Sequence, residues 1–309
     1  MVYKTYCIVV IVSICILLSA CAKSLTNSSD ENLPLHEPDA IPVYVGSWNL
    51  PEYFSGMAID ENGGLLISNW MTKEILTYSS TGYLLDTWSL YLEEEVLTPM
   101  YMEYSNNRFI LICACSDYSK LIAFGDDHHL QFEVPEVHEM GNGWAGGVDA
   151  IATDGEGFIY TLDFQGESVA KYSSEGEYEC QWSTIGPNPG INSWASGIAV
   201  GSNNIVYISD TLNDRILMFS RTGALLGIIG EQGTGNAQFI WPHGLATDQD
   251  DILYVVDRIN KRVQKMSLTG EYICEFSTGD EDPLLITVYE DDVYIYYAGN
   301  KVGHYRYCE

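Results

Sequence analysis

The stretch HGLATDQDDILYVVD, residues 243–257, decides the fold. Small and apolar residues run to Asp248, a Gln/Asp turn follows, and a β-branched and aromatic run from Ile252 stops at Asp257. This reads as two short strands joined by a turn, and no 3.6-residue period competes with it. Shifting the chain against itself by about 47 residues brings the pattern back as SGMAIDENGGLLISN from Ser55, DAIATDGEGFIYTLD from Asp149 and SGIAVGSNNIVYISD from Ser196. Five segments of 34 residues align without a gap: 55–88, 101–134, 149–182, 196–229 and 243–276. Four carry Gly at the same offset (Gly82, Gly176, Gly223, Gly270), whereas 101–134 has His128 there. Each unit holds short strands between Asp, Asn and Gly turns, and about four strands per 40–50 residues is the signature of a propeller blade.

A sixth unit starts near Pro283 and runs out before its outermost strand. Val43–Trp48 supplies a matching strand near the other end, with Trp48 equivalent to Trp88, Trp182 and Phe276. The expected fold is therefore all-β: a six-bladed β-propeller over 42–309, closed by an N-terminal strand that completes the last blade.

Beyond the strands, Phe239-x-x-Pro242-x-Gly244-Leu245-Ala246-x-Asp248, then Leu253–Asp257 and Asn260-x-Arg262-Val263, resembles the NHL repeat. Segment 196–229, with Asp210, Asn213, Arg215 and Ile216, is a second copy. The resemblance covers 43–309, strong in two blades, fair in two, and weak in the second and sixth. It implies the six-bladed propeller and no single activity, since such folds host lyases, lactonases, receptors and scaffolds.

Charge narrows the partners. Asp and Glu number 43 against 14 Lys and Arg, a formal net of −29, which disfavours nucleic acid and other polyanions. At 46% apolar residues the chain has ample material for a core. Lys4 precedes an apolar run, Ile8–Leu18, that is too short to span a bilayer and reads as the core of a signal peptide. The following Leu18-Ser19-Ala20-Cys21 resembles the bacterial lipobox. Residues 1–20 are thus expected to be removed, Cys21 to carry lipid, and 21–41 to form a polar tether holding the protein in the bacterial cell envelope, outside the cytoplasm. Cys7 and Cys15 leave with the signal and Cys21 is lipidated, so five cysteines remain, an odd number. Cys180 and Cys274 fall on non-adjacent blades and Cys113 and Cys115 on one strand face, so no disulfide framework is read.

By analogy with propellers, the start of the innermost strand and the loop after the second strand meet at the channel mouth. Gap-free alignment places Ser55, Tyr101, Asp149, Ser196, His243 and Pro283 in one ring and Asn69, Cys115, Asp163, Asp210, Asp257 and Tyr297 in another. The NHL-like lyase branch holds zinc with His from several blades, but the positions matching His243 are not His, and one imidazole with Asp149 cannot make a zinc site. The lactonase branch suggests calcium on Asp163, Asp210 and Asp257. Against that, an Asp ending a strand caps local N–H groups, and Arg215 and Arg262 are placed to return beside Asp210 and Asp257. Aromatics give the stronger signal: Tyr53, Trp194 and Trp241 share one repeat position, and Trp70 and Trp144 fall in loops on the same face. Exposed rings there stack on sugars or anchor peptides. The expected function is a lipid-anchored binding protein without a cofactor, presenting Tyr53, Trp70, Trp144, Asp149, Trp194, Trp241 and His243 to a carbohydrate, peptide or protein. The alternative is a metal-dependent lyase or lactonase using calcium or zinc.

Overall fold

The computed structural model describes residues 37–92, 95–114, 118–139, 150–163, 168–184 and 194–307. Six four-stranded antiparallel sheets form the blades of an all-β, six-bladed propeller. Blades 1 to 5 run in sequence order, their innermost strands being Phe54–Ile59, Thr98–Tyr104, Ala150–Thr153, Ala195–Val200 and Pro242–Thr247. Blade 6 orders Pro283–Tyr289, Asp292–Tyr297, Lys301–Arg306 and then Val43–Asn49, whose Trp48 lies opposite Val302.

The core lies between blades. Leu66, Ile75, Met102, Leu111 and Ile122 join blades 1 and 2, and Met57, Ile67, Tyr294 and Val302 join blades 1 and 6 with Leu50 and Trp48. The repeat glycine belongs to the same packing. Gly223 has φ +86°, and a Cβ there would stand 2.5 Å from the Trp182 ring of the preceding blade. Blade 2 solves the problem differently: His128 takes φ +62° and lays its ring flat on Trp88, centroids 4.0 Å apart. The glycine near the start of the inner strands of blades 1, 4 and 5 (Gly56, Gly197, Gly244) answers to the channel instead, since a Cβ on Gly244 would meet the Leu284 carbonyl of blade 6 at 2.7 Å.

Pairing corrects the gap-free alignment in two blades. In blade 2 the first hairpin closes at Tyr104–Phe109 over four residues, 105–108, against five, 60–64, in blade 1. Pro99–Cys113 is consequently the pair equivalent to Phe54–Asn69 and Pro242–Asp257, which puts Met100 rather than Tyr101, and Cys113 rather than Cys115, in the two rings. Cys115 itself lies outside the described residues. Pro283 pairs with Tyr297 as Pro242 pairs with Asp257, so the partner of His243 in blade 6 is Leu284. One-residue changes in turn length are invisible to a match carried by strand residues alone. Cys180 and Cys274 are free thiols.

Candidate functional site

Tyr53, Trp194 and Trp241 each stand immediately before an innermost strand, on blades 1, 4 and 5. Their backbones are tied to the loops that follow the second strands. The Trp70 N–H donates to the Tyr53 carbonyl (3.1 Å), the Thr211 N–H to the Trp194 carbonyl (3.0 Å), and the Trp241 N–H to Asp214 Oδ1 (2.8 Å). The rings themselves are left outside, with Tyr53 and Trp241 44% exposed and Trp194 52%. Tyr53 meets Trp70 edge to face at 5.3 Å. Tyr53 and Trp241 also adopt left-handed backbone, φ +73° and +56°, a conformation that bulky residues avoid.

The polar residues of the two rings are committed to the frame. Asn69 donates from Nδ2 to the Glu52 carbonyl and accepts from the Met71 and Thr72 amides. Asp210 is fully buried and accepts from Asn213 Nδ2 (2.6 Å) and Arg215 Nε (2.8 Å). Asp257, equally buried, accepts from Ile240 N, Asn260 Nδ2, Arg262 Nε and Gln264 Nε2. The expected return of Arg215 and Arg262 across their hairpins is what the geometry shows. Ser55 Oγ donates to the Pro99 carbonyl of the next blade (2.8 Å), and Ser196 bonds Thr211, whose Oγ1 donates to the Pro242 carbonyl (2.7 Å).

His243 sits in the same bridging position, with a backbone hydrogen bond at Leu284. Burial, then the nearby Arg258 guanidinium, push its imidazole down to about 4, so the ring is neutral at pH 7, and its buried Nδ1 has no partner. A zinc or calcium centre would need several such donors turned inward. Around His243 the described ring positions are Ser55, Met100, Ser196 and Leu284, and Asp210 and Asp257 of the other ring are already bonded to Arg215 and Arg262. Among the described residues the donor set does not fit a metal.

Three residues of this face escaped the sequence reading. Met71, Leu212 and Ile259 lie two positions beyond Asn69, Asp210 and Asp257, in turns where polar residues are the rule, and are 48%, 41% and 47% exposed. An apolar residue recurring at one turn position was the signal available. Loop 211–214 bonds both Trp194 and Trp241, and the Ile259 N–H donates to the Ile240 carbonyl (3.1 Å), so the backbones that carry the exposed Trp194, Leu212, Trp241 and Ile259 are tied together on blades 4 and 5. Tyr53, Trp70 and Met71 form another group on blade 1. Blade 6 lies between them with paired charges: Arg258 grips Asp282 with two bonds (2.9 and 2.8 Å), Lys261 adds a third, and Lys301 bonds Glu281. Trp144 and Asp149 lie outside the described residues.

The inner strands of all six blades line a narrow central cavity of about 160 Å³. Toward its hairpin end, Glu103 occupies the position held elsewhere by Ala58, Ala152, Ala199, Ala246 and Thr287. It has no hydrogen bond or ion pair among the described residues, and burial pushes its carboxyl up to about 8.

A family model described as a 6-bladed beta-propeller matches residues 198–307. No curated protein matches the chain. Among solved structures, a catalytically inactive virginiamycin B lyase from Staphylococcus aureus with quinupristin is similar at 13% identity, TM-score 0.58, over 84% of this chain and 98% of that one. A streptogramin B lyase is similar at 16% identity, TM-score 0.59, over 84% and 86% of the two chains. A structural genomics protein of unknown function from Bacteroides thetaiotaomicron is similar at 16% identity, TM-score 0.61, over 86% and 73%. At such identities the likeness is one of fold.

Proposed function

We propose that the protein is a lipid-anchored envelope component whose channel-mouth face binds a carbohydrate, peptide or protein without chemical turnover. The observation that carries this reading is the pair Tyr53 and Trp241. Two large aromatics at one repeat position keep a left-handed backbone, at about 1–2 kcal/mol each, while each stays 44% exposed. Strain at an aromatic that still leaves nearly half of itself exposed supports a role in recognition. The lipobox-like Leu18–Cys21 supports the anchor, and replacing Cys21 by Ser should move the protein from the membrane to the soluble fraction. For the binding face, the detergent-solubilised full chain is screened on glycan and peptide arrays beside a Trp194→Ala, Trp241→Ala variant. Binding should fall at least tenfold in the variant at an unchanged melting temperature, and binding that persists places the ligand elsewhere.

A further inference from the structure

We infer that the occupant of the channel-mouth face is an uncharged peptide segment bearing Leu, Ile, Met or Phe side chains, and not a glycan. This rests on the reading of that face as a binding surface and adds the class of ligand. The observations come from residues other than the aromatics.

The first is shape. Sugars are held by flat rings laid against their C–H faces. Here Met71, Leu212 and Ile259, each between two fifths and one half exposed, stand beside the rings at equivalent positions of blades 1, 4 and 5. Branched and thioether side chains offer no flat face. They suit apolar side chains, which pack on any contour, and Met adapts to several.

The second is polarity. A glycan presents hydroxyls along its length and needs free donors and acceptors beside the stacking ring, since a hydroxyl desolvated without a partner costs affinity. Apart from the buried Nδ1 of His243, the polar ring side chains described above are bonded within the frame: Asn69, Asp210, Asp257, Ser55, Ser196 and Thr211 have partners. Recruiting any of them to a sugar would release a buried strand end or a loop tie.

The third is charge complementarity. The chain as a whole is strongly acidic, yet Asp282 and Glu281 beside the collar are held in ion pairs, Asp282 by Arg258 and Lys261 and Glu281 by Lys301. An anionic ligand would sit in the repulsive field of a polyanion and a cationic one would find Asp282 and Glu281 already paired, whereas an uncharged segment meets neither obstacle.

The test uses the full chain in detergent against two probes, an array of nine-residue peptides of varied composition and a glycan array, at low and high salt. The variants are Leu212→Asn with Ile259→Asn, and Trp194→Ala with Trp241→Ala, each checked by melting temperature. The expected result is binding confined to peptides rich in Leu, Ile, Met and Phe, little changed by salt, and weakened at least tenfold in both variants. Glycan binding that is lost in the Trp variant but unmoved in the Leu212/Ile259 variant overturns the ligand class and leaves the face standing. Binding that survives both variants overturns the face itself. An absence of any peptide binder, or binding only to charged peptides with strong salt dependence, contradicts the inference as well.

Discussion

The two ends of the propeller are built from the same repeat and solve the same problem differently. At the hairpin end the Asp turns of blades 1, 3 and 5 satisfy their own amides, and further side chains tie neighbouring blades, Arg108 to the Ser174 carbonyl, Arg221 to Glu156 and Tyr207 to the Leu268 carbonyl. Asp60 accepts from the amides of Asn62 and Gly64, Asp154 from Glu156 and Phe158, and Asp248 from Asp250 and Ile252, all within four residues. At the loop end ties also run between blades, from Thr211 to Pro242 and from Arg258 to Asp282, but they hold loops whose Trp241, Leu212 and Ile259 stay nearly half exposed. One end spends its side chains on the fold. The other holds its loops rigid by bonds beneath them and has side chains to spare, which is how a scaffold presents a site.

The harshest way to break the comparison is to remove what both ends share. Deleting residues 42–50 strips the outer strand of blade 6, with Trp48 and Leu50 from the blade 1–6 core, and exposes an unpaired edge. Loss of a cooperative melting transition, with aggregation, is the expected outcome by calorimetry; parent-like melting contradicts sheet closure by this strand. A smaller insult separates the ends. Asp248→Ala removes acceptors from two amides and from the Tyr254 hydroxyl, at about 1–3 kcal/mol, a fall of roughly 3–10 °C for a domain of this size. Ile259→Ser, at the loop end, should leave melting within about 1 °C.

Acid–base behaviour sharpens the contrast further. Glu103 is raised from the usual carboxylate value to about 8, so the folded state holds its proton where the unfolded chain has released it. The stability it allows is fully present below pH ~4.5 and declines as pH rises toward 8, by at most about 1.4 kcal/mol per pH unit. In Glu103→Gln the proton is no longer needed. Melting of the parent should therefore fall relative to the variant between pH 5 and 8, and parallel curves would mean that the carboxyl is solvated or paired in solution.

Legibility followed the same division. Blade count, strand order and the Asp–Arg hairpin pairs could be read because inward strands repeat a pattern that local physics enforces, as in Leu253–Asp257 followed by Arg262. The ring membership of Met100, Cys113 and Leu284 could not, because turn length rather than strand composition sets it. Tyr53, Trp194 and Trp241 stood out as aromatics at one offset, yet their left-handed backbone and exposure are tertiary facts. Met71, Leu212 and Ile259 recur only once per blade and in three blades of six, a signal far weaker than the two-residue alternation of a strand. Glu103 hid for another reason: a lone Glu in a strand of a very acidic chain reads as surface.

The most direct test of the central claim, that the loop-end aromatics serve recognition and not the fold, is the melting temperature of Trp241→Gly. Glycine accepts the left-handed backbone at position 241 without strain, and the ring it removes is nearly half exposed. The account predicts melting within about 3 °C of the parent, since relief of about 1–2 kcal/mol of backbone strain offsets part of the packing and chain entropy that are lost. A fall of more than about 4 °C would mean that the Trp241 ring packs the blades together, and the collar would then be part of the fold.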